Sequence, residues 1–218
     1  MNVFNMPKEC RAILFDIDST LYTNAGYAQS QIDLPVERLA GKRGVSADAM
    51  RAEIAEYREK WASEHNGQGI SLANIFTAFG VSIMESVVWR EELCRPEEYL
   101  GKDKRLRTAL KKLGHCFTLA ALTNNPVSVA DRTLVALGVE DLFHAIIGLD
   151  TCGVSKPHEE PLMRAAILCS AEPRYCVSVG DRYDIDISLP LEMGMGGILV
   201  DGVKDVYDLP DLFSVQGV

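Results

Sequence analysis

Asp16 and Asp18 stand one residue apart at the end of the apolar run Ala12-Ile13-Leu14-Phe15. A short continuous apolar run reads as a buried parallel strand, so the two carboxylates fall where its carboxyl end opens into a loop. In an ideal strand, residues i and i+2 point the same way, and carboxylates so placed crowd each other unless a cation or positive dipoles lie between them. Strand ends of open α/β sheets are also where ligands bind. The chemistry such a pair supports is metal-assisted: one carboxylate attacks as a nucleophile and the other moves a proton. Asp-x-Asp taken alone equally suits a solvated turn or a pair of helix caps, so the rest of the chain has to decide.

Three later stretches bear on that choice. The run Leu119-Ala120-Ala121-Leu122 ends in Thr123-Asn124-Asn125, Lys156-Pro157 follows a loop, and Val177 to Asp186 closes another strand as VSVGDRYDID. Taken in this order with Asp16-Ile17-Asp18, they resemble the four motifs of the haloacid dehalogenase superfamily, over roughly residues 12 to 200. The resemblance implies an α/β fold, a Rossmann-like parallel sheet core with an inserted all-helical cap domain. It implies that Asp16 is phosphorylated, while Asp18 protonates the leaving oxygen and then activates water. A hydroxyl at Thr123 and a backbone N–H at Asn124 stand at a strand end where they can bond a phosphoryl oxygen, and Lys156 would neutralise Asp16 and the phosphate. Asn125, before Pro126, serves as the helix N-cap in this reading. The superfamily's last motif selects Asp181 and Asp186 as metal ligands beside Asp16 and the backbone carbonyl of Asp18, with Asp186 acting through water. Asp184 is left as a neighbour that either supports a ligand or caps a helix, and Arg182 as a partner for these carboxylates.

Oxygen donors of this kind, few carboxylates supplemented by water and phosphate, match Mg²⁺ better than Ca²⁺. Zinc is disfavoured, because His65, His115, His144 and His158 have no ligand spacing. The expected function is a Mg²⁺-dependent phosphomonoesterase of a small metabolite, a nucleotide or a sugar or organic-acid phosphate, working through a phosphoaspartate. The opening FDIDSTLY with LTNN and VSKP looks most like the pyrimidine 5′-nucleotidase branch, and phosphoglycolate and sugar phosphatases share the same parts. A phosphomutase with the same Asp pair, or a non-catalytic regulatory module on this scaffold, is the alternative. A dehalogenase is disfavoured by Asp18. Tyr22, Asn24, Tyr27, Arg58, Trp61 and His65 are the candidate substrate contacts, being polar or aromatic near the expected cleft. The glycines of Gly194-Met195-Gly196-Gly197 sit between a helix and a strand, the reverse of a dinucleotide turn, and read as a helix stop.

The elements that must position these groups follow from periodicity. Within residues 22–100, the stretch from Tyr27 to about Pro96 contains no convincing strand but several helical stripes: Met50, Ile54, Tyr57 and Trp61 after Ser46; Leu72, Ile75, Phe76 and Phe79 after Ser71; Ile83, Met84, Val87 and Val88. Pro35 predicts a kink or a fresh helix start around Asp33 to Val36. This segment is expected to form the cap, with residues 1–21 and 101–218 as the core, where helices and strands alternate as a parallel sheet requires. Net charge is −9 with no Lys/Arg run longer than two, which disfavours nucleic acid and anionic membranes as partners. No stretch approaches a membrane span, and Met1 to Arg11 lacks the apolar core of a signal peptide, so the expected setting is cytoplasmic, as a monomer or homodimer. The six cysteines lack Cys-x-x-Cys spacing and read as free thiols, mostly small hydrophobes.

Overall fold

The computed structural model describes residues 1–216, so the last two residues of the expected core segment lie outside the described residues. In chain order the elements are β1 (Asn2–Phe4), β2 (Ala12–Phe15), α1 (Ala25–Arg43), α2 (Ala47–Glu64), α3 (Leu72–Ala78), α4 (Ile83–Leu93), α5 (Lys104–Gly114) and β3 (Thr118–Leu122). There follow α6 (Val127–Leu137), β4 (Ala145–Ile147), α7 (Leu149–Cys152), α8 (Glu159–Leu168), β5 (Cys176–Gly180), α9 (Ser188–Glu192), β6 (Gly196–Leu199) and α10 (Val203–Gln216).

β2 is central because both of its faces are apolar. Ile13 and Phe15 enter one hydrophobic cluster and Ala12 and Leu14 the other, the period-2 alternation of a strand covered by helices on both sides. The sheet runs β1-β6-β5-β2-β3-β4, and every pairing is parallel except that of β1 with β6. From β2 the chain moves outward through β3 to β4, then returns to β5 on the other side. The carboxyl end of β2 is therefore a topological switch point, the place where a doubly wound sheet leaves a crevice.

Between β2 and α5 the chain inserts α1 to α4, which bury a cluster of their own: Val36, Leu39 and Ala40 of α1, Met50 and Ile54 of α2, Ile75 and Phe76 of α3, and Trp89 of α4. The N-caps are chemical. Ser46, Ser71 and Ser82 each accept a hydrogen bond from the backbone N–H three residues on.

Two expectations are corrected, those for Pro35 and Cys116, and β1 and α10 are elements that no expectation covered. No fresh helix starts at Pro35, because α1 is continuous from Ala25 to Arg43. Pro35 and its neighbours Val36, Leu39 and Ala40 are buried, so packing outweighs the lost backbone bond. β1 has three residues and forms an antiparallel edge on β6. α10, obscured by Pro210, follows β6, where Val206, Leu209 and Phe213 join the core. All six cysteines are free; Cys116, however, is exposed rather than core filler.

The helical interior of α1 carries Gly41, where an added Cβ meets nothing within 4 Å. Gly41→Ala should therefore stabilise the protein by about 0.5–1 kcal/mol, read as a rise in thermal midpoint. A fall would mean that α1 is not a continuous helix at this point.

Candidate active site

Asp16 still belongs to the sheet, its N–H donating to Val179 O at 2.8 Å. The chain then turns sharply: Leu21 N–H returns to Ile17 O at 2.9 Å, and Ser19 takes a left-handed φ of 62°. Such a conformation costs a non-glycine residue about 1–3 kcal/mol. The turn separates the two carboxylates that an ideal strand would have stacked, and each acquires its own partners.

Asp16 is buried, and both of its oxygens are occupied. Lys156 Nζ donates to Oδ1 at 2.7 Å and Thr20 Oγ1 to Oδ2 at 3.2 Å. The same ammonium donates to Asp186 Oδ1 at 2.7 Å and to Leu122 O at 2.8 Å, so all three of its protons are used. Lys156 is brought there by Asn124, whose side chain accepts from Lys156 N–H at 2.7 Å and donates to Lys156 O at 3.1 Å. Asp186 hangs from a single π-helical turn, Tyr183–Ile187, that folds back over β5. Its Oδ2 accepts from Arg182 N–H at 3.1 Å, and Ser178 Oγ donates to its backbone carbonyl at 2.7 Å. This approach needs Gly180, since a Cβ there would lie 2.4 Å from Asp186 Cβ.

Asp16, Asp181 and Asp186 each offer an oxygen within 4.8 Å of the others. Burial pushes the Asp16 carboxyl up to about 7, with Asp186, Asp18 and Asp181 adding to the rise and Lys156 opposing it. Burial first and Asp186 second push Asp181 up to about 6. Burial opposes the charge on Lys156, but Asp16 and Asp186 outweigh it and raise the ammonium above its ordinary range. The crowding of carboxylates thus shows at Asp16 and Asp181. An all-oxygen cluster of three carboxylates, two buried and one half-buried, with more negative charge than one lysine can balance fits a hard divalent cation.

Asp18 faces the other way, into a network no sequence pattern announced. Tyr22 OH and Gln31 Nε2 donate to Oδ1 at 2.6 and 2.9 Å, and Thr123 Oγ1 and Asn125 Nδ2 donate to Oδ2 at 3.2 and 2.8 Å. Asn125 is therefore no helix cap. Asp150 Oδ1 takes the α6 cap bond by accepting from Val127 N–H, which frees the Asn125 amide to bridge Asp18, Gln31 and Arg90. Gln31 lies on α1, near the Pro35 turn, and Arg90 on α4, so inserted helices reach the core chemistry directly.

A cleft of about 240 Å³ opens between these layers, lined by Asp18, Asn125, Asp181 and Arg182 from one side and by Gln31 and Arg90 from the other. The candidate substrate residues are placed differently from expectation. Tyr27 is fully buried between Tyr22 and Tyr99, and Asn24 caps α1 while donating to Tyr99 O. Trp61 and His65 stack on each other at 3.7 Å and do not line the cleft. Arg58 lines a neighbouring recess with Arg182 and Asp184. Tyr22 hydrogen-bonds Asp18, and Asn24 lines a second recess with Ser19 and Asp181. Asp184 stands outside the acidic cluster and accepts from Gly69 N–H at 2.8 Å, tying the loop after α2 to the core.

The family of hydrolases described as haloacid dehalogenase-like has a model that matches residues 10–194. A phosphoglycolate phosphatase of Xanthomonas campestris pv. campestris is 30% identical over 78% of this chain and 74% of its own. A glyceraldehyde 3-phosphate phosphatase of Methanopyrus kandleri is 24% identical over 85% of this chain and 81% of its own. Among solved structures, a HAD phosphatase from Thermococcus onnurineus aligns with a TM-score of 0.60 at 19% identity, covering 93% of this chain and 97% of that one. The chain belongs to the haloacid dehalogenase-like hydrolases, as a phosphatase of that family.

The cluster has a pH signature. A carboxyl raised from 3.8 to about 7, as Asp16 is, holds its proton more tightly when folded, so its contribution to stability is lost as pH climbs between those values. A divalent cation needs the deprotonated ligands and should restore that loss. The rise in thermal midpoint on replacing chelator with Mg²⁺ should be larger at about pH 8 than at about pH 5.5. An equal rise at both would place any cation elsewhere. Asp181→Ala should raise the half-saturating Mg²⁺ far more than Asp184→Ala, read by titrating Mg²⁺ against activity; the reverse order would put Asp184 in the cation site.

Proposed function

We propose that the protein is a Mg²⁺-dependent phosphomonoesterase that works through a phosphoaspartate on Asp16. The observation that carries this is the division of labour between the two carboxylates: Asp16 is fixed at both oxygens beside an ammonium, and Asp18 is oriented by four donors toward the cleft.

In this reading an Asp16 oxygen attacks phosphorus while the bond to the ester oxygen breaks. Asp18, entering as the acid, gives its proton to the departing oxygen. Water then attacks the phosphoaspartate, Asp18 takes a proton from that water, and inorganic phosphate leaves with Asp16 regenerated. The backbone N–H of Asn124 bonds a phosphoryl oxygen, Thr123 does so when its hydroxyl leaves Asp18, and the Lys156 ammonium offsets the growing charge through space, its three protons being held by Asp16, Asp186 and Leu122. Asp16, Asp181, Asp186 and the Asp18 carbonyl are the groups that would hold Mg²⁺, which when bound supplies further positive charge against the phosphate. Residues 22–100 act as a cap over this core, and the Gly69–Asp184 and Ser71–Ser155 hydrogen bonds close it, excluding water until hydrolysis. The substrate is a small soluble phosphate ester. Relatives named for phosphoglycolate and glyceraldehyde 3-phosphate make phosphates of two or three carbons the first panel to assay.

Asp16→Asn should abolish release of orthophosphate with the fold retained. Asp18→Asn should lower the rate by about 10²–10⁴-fold. If Asp16→Asn kept a tenth of wild-type turnover in clean preparations, the covalent assignment would fail. Transfer of phosphate to a second sugar hydroxyl, in place of its release to water, would move the reading to a phosphomutase.

A further inference from the structure

Among the described residues, Gln31 is the side chain of α1 to α4 that hydrogen-bonds Asp18. It lies on α1, is 6% exposed and borders the cleft. Its Nε2 donates to Asp18 Oδ1 at 2.9 Å and to Tyr22 OH at 2.8 Å, and its Oε1 accepts from Asn125 Nδ2 at 2.5 Å. None of these partners belongs to the apolar cluster of the inserted helices. Asn125 is held in turn by Arg90 of α4, whose Nη1 donates to Asn125 Oδ1 at 3.0 Å while its Nε is left without a partner. A guanidinium only 7% exposed and given to a neutral amide is a costly way to stabilise a fold.

The direction of every bond in this chain is fixed. Arg90 has donors only, so Asn125 must turn its carbonyl oxygen toward it and its NH₂ toward Asp18. One proton of that NH₂ reaches Gln31, whose oxygen must accept it, which leaves both Gln31 protons for Asp18 and Tyr22. Neither amide can be reversed without setting donor against donor. Hydroxyls behave otherwise. Tyr22 and Thr123 also donate to Asp18, but an O–H rotates about its bond and can turn away when the carboxyl takes a proton. The aim that Asp18 keeps throughout the reaction is thus the aim the two amides give it. We infer that Gln31 is a positioning residue for proton transfer at Asp18, with its own orientation set by Arg90 through Asn125. The inference rests on the phosphatase reading and adds to it a residue of the insert that the transfer step needs.

The test compares benzyl phosphate with 4-nitrophenyl phosphate, esters of similar size, on the Mg²⁺-loaded enzyme. Benzyl alcohol leaves with a proton from Asp18, whereas 4-nitrophenolate leaves as a stable anion and needs none. In kcat/KM, which reports phosphoryl transfer to Asp16, Gln31→Met should lower the benzyl-to-nitrophenyl ratio by about 10-fold or more, and Asp18→Asn should lower it further. With 4-nitrophenyl phosphate, Gln31→Met should also release a larger burst of nitrophenolate than wild type, because water attack on the phosphoaspartate still needs Asp18 as base. Loss of packing or of substrate binding alone would slow both esters together. A ratio within threefold of wild type overturns the inference and leaves the phosphatase reading standing; turnover of neither ester, nor of any other small phosphate, overturns both. Arg90→Met should lower the ratio in the same direction, and in the double variant it should add less than about threefold to Gln31→Met, as members of one chain do. Effects that multiply in full would overturn the part given to Arg90. Should Gln31→Met fail to fold, Gln31→Glu decides by the same ratio, since it keeps the acceptor for Asn125 and removes the amide donor to Asp18: a wild-type ratio there overturns the inference.

Discussion

The Lys156 ammonium lies out of water between Asp16 and Asp186, with its third proton on the Leu122 carbonyl. It joins β2, β3 and the turn after β5 at one point, so the geometry of three elements converges on one charge. Removing one member of a buried pair costs about 3–5 kcal/mol, a sizeable part of the roughly 5–15 kcal/mol that holds a domain together. Such a cluster is a poor way to gain stability. A nucleophile in place and partly neutralised before substrate arrives is what the cost secures, and the excess of carboxylates leaves room for a cation.

The acid and the nucleophile are controlled from different sides. Asp16 takes its partners from the sheet edge and the loops that follow it. Asp18 takes Tyr22 and Gln31 from the start of the insert, and Asn125 links it to Arg90 on α4. The insert therefore does more than cover a cleft, because it helps aim the acid. The turn that Leu21 N–H closes on Ile17 O lets the two carboxylates part company within three residues. At Gly69 a Cβ would lie 2.1 Å from Asp184 Oδ2, so the glycine allows the loop after α2 to approach the core.

Much of this was legible because motif spacing and period are local properties. The β2 run, the seryl caps of α2 and α3 and the strand–helix alternation after residue 100 all appear where periodicity placed them. Asp16, Lys156, Asp181 and Asp186 are brought together at the strand ends. The rest depended on contacts distant in sequence. Asn125 looked like a helix cap because Asn before Pro usually is one, and nothing local says that Asp150 takes that bond. Tyr27, Trp61 and His65 carry helical spacing that serves equally for burial and for binding. Which face of α1 meets the core was set by tertiary packing, and Gln31 became visible only there. A buried arginine on a helix such as α4, where Met84 and Val88 are exposed instead, reads from sequence as a solvated charge.

The central claim is that Asp16 carries the phosphoryl group. The direct measurement is to mix enzyme, Mg²⁺ and a turned-over phosphate ester, quench in acid within a single turnover, and locate the added phosphoryl mass by peptide mass spectrometry. The account predicts a labile label on the peptide containing Asp16, formed and lost at rates that match turnover, and absent in Asp16→Asn. Turnover with no label, or a label on Asp18 or on a residue outside the strand-end cluster, would contradict it.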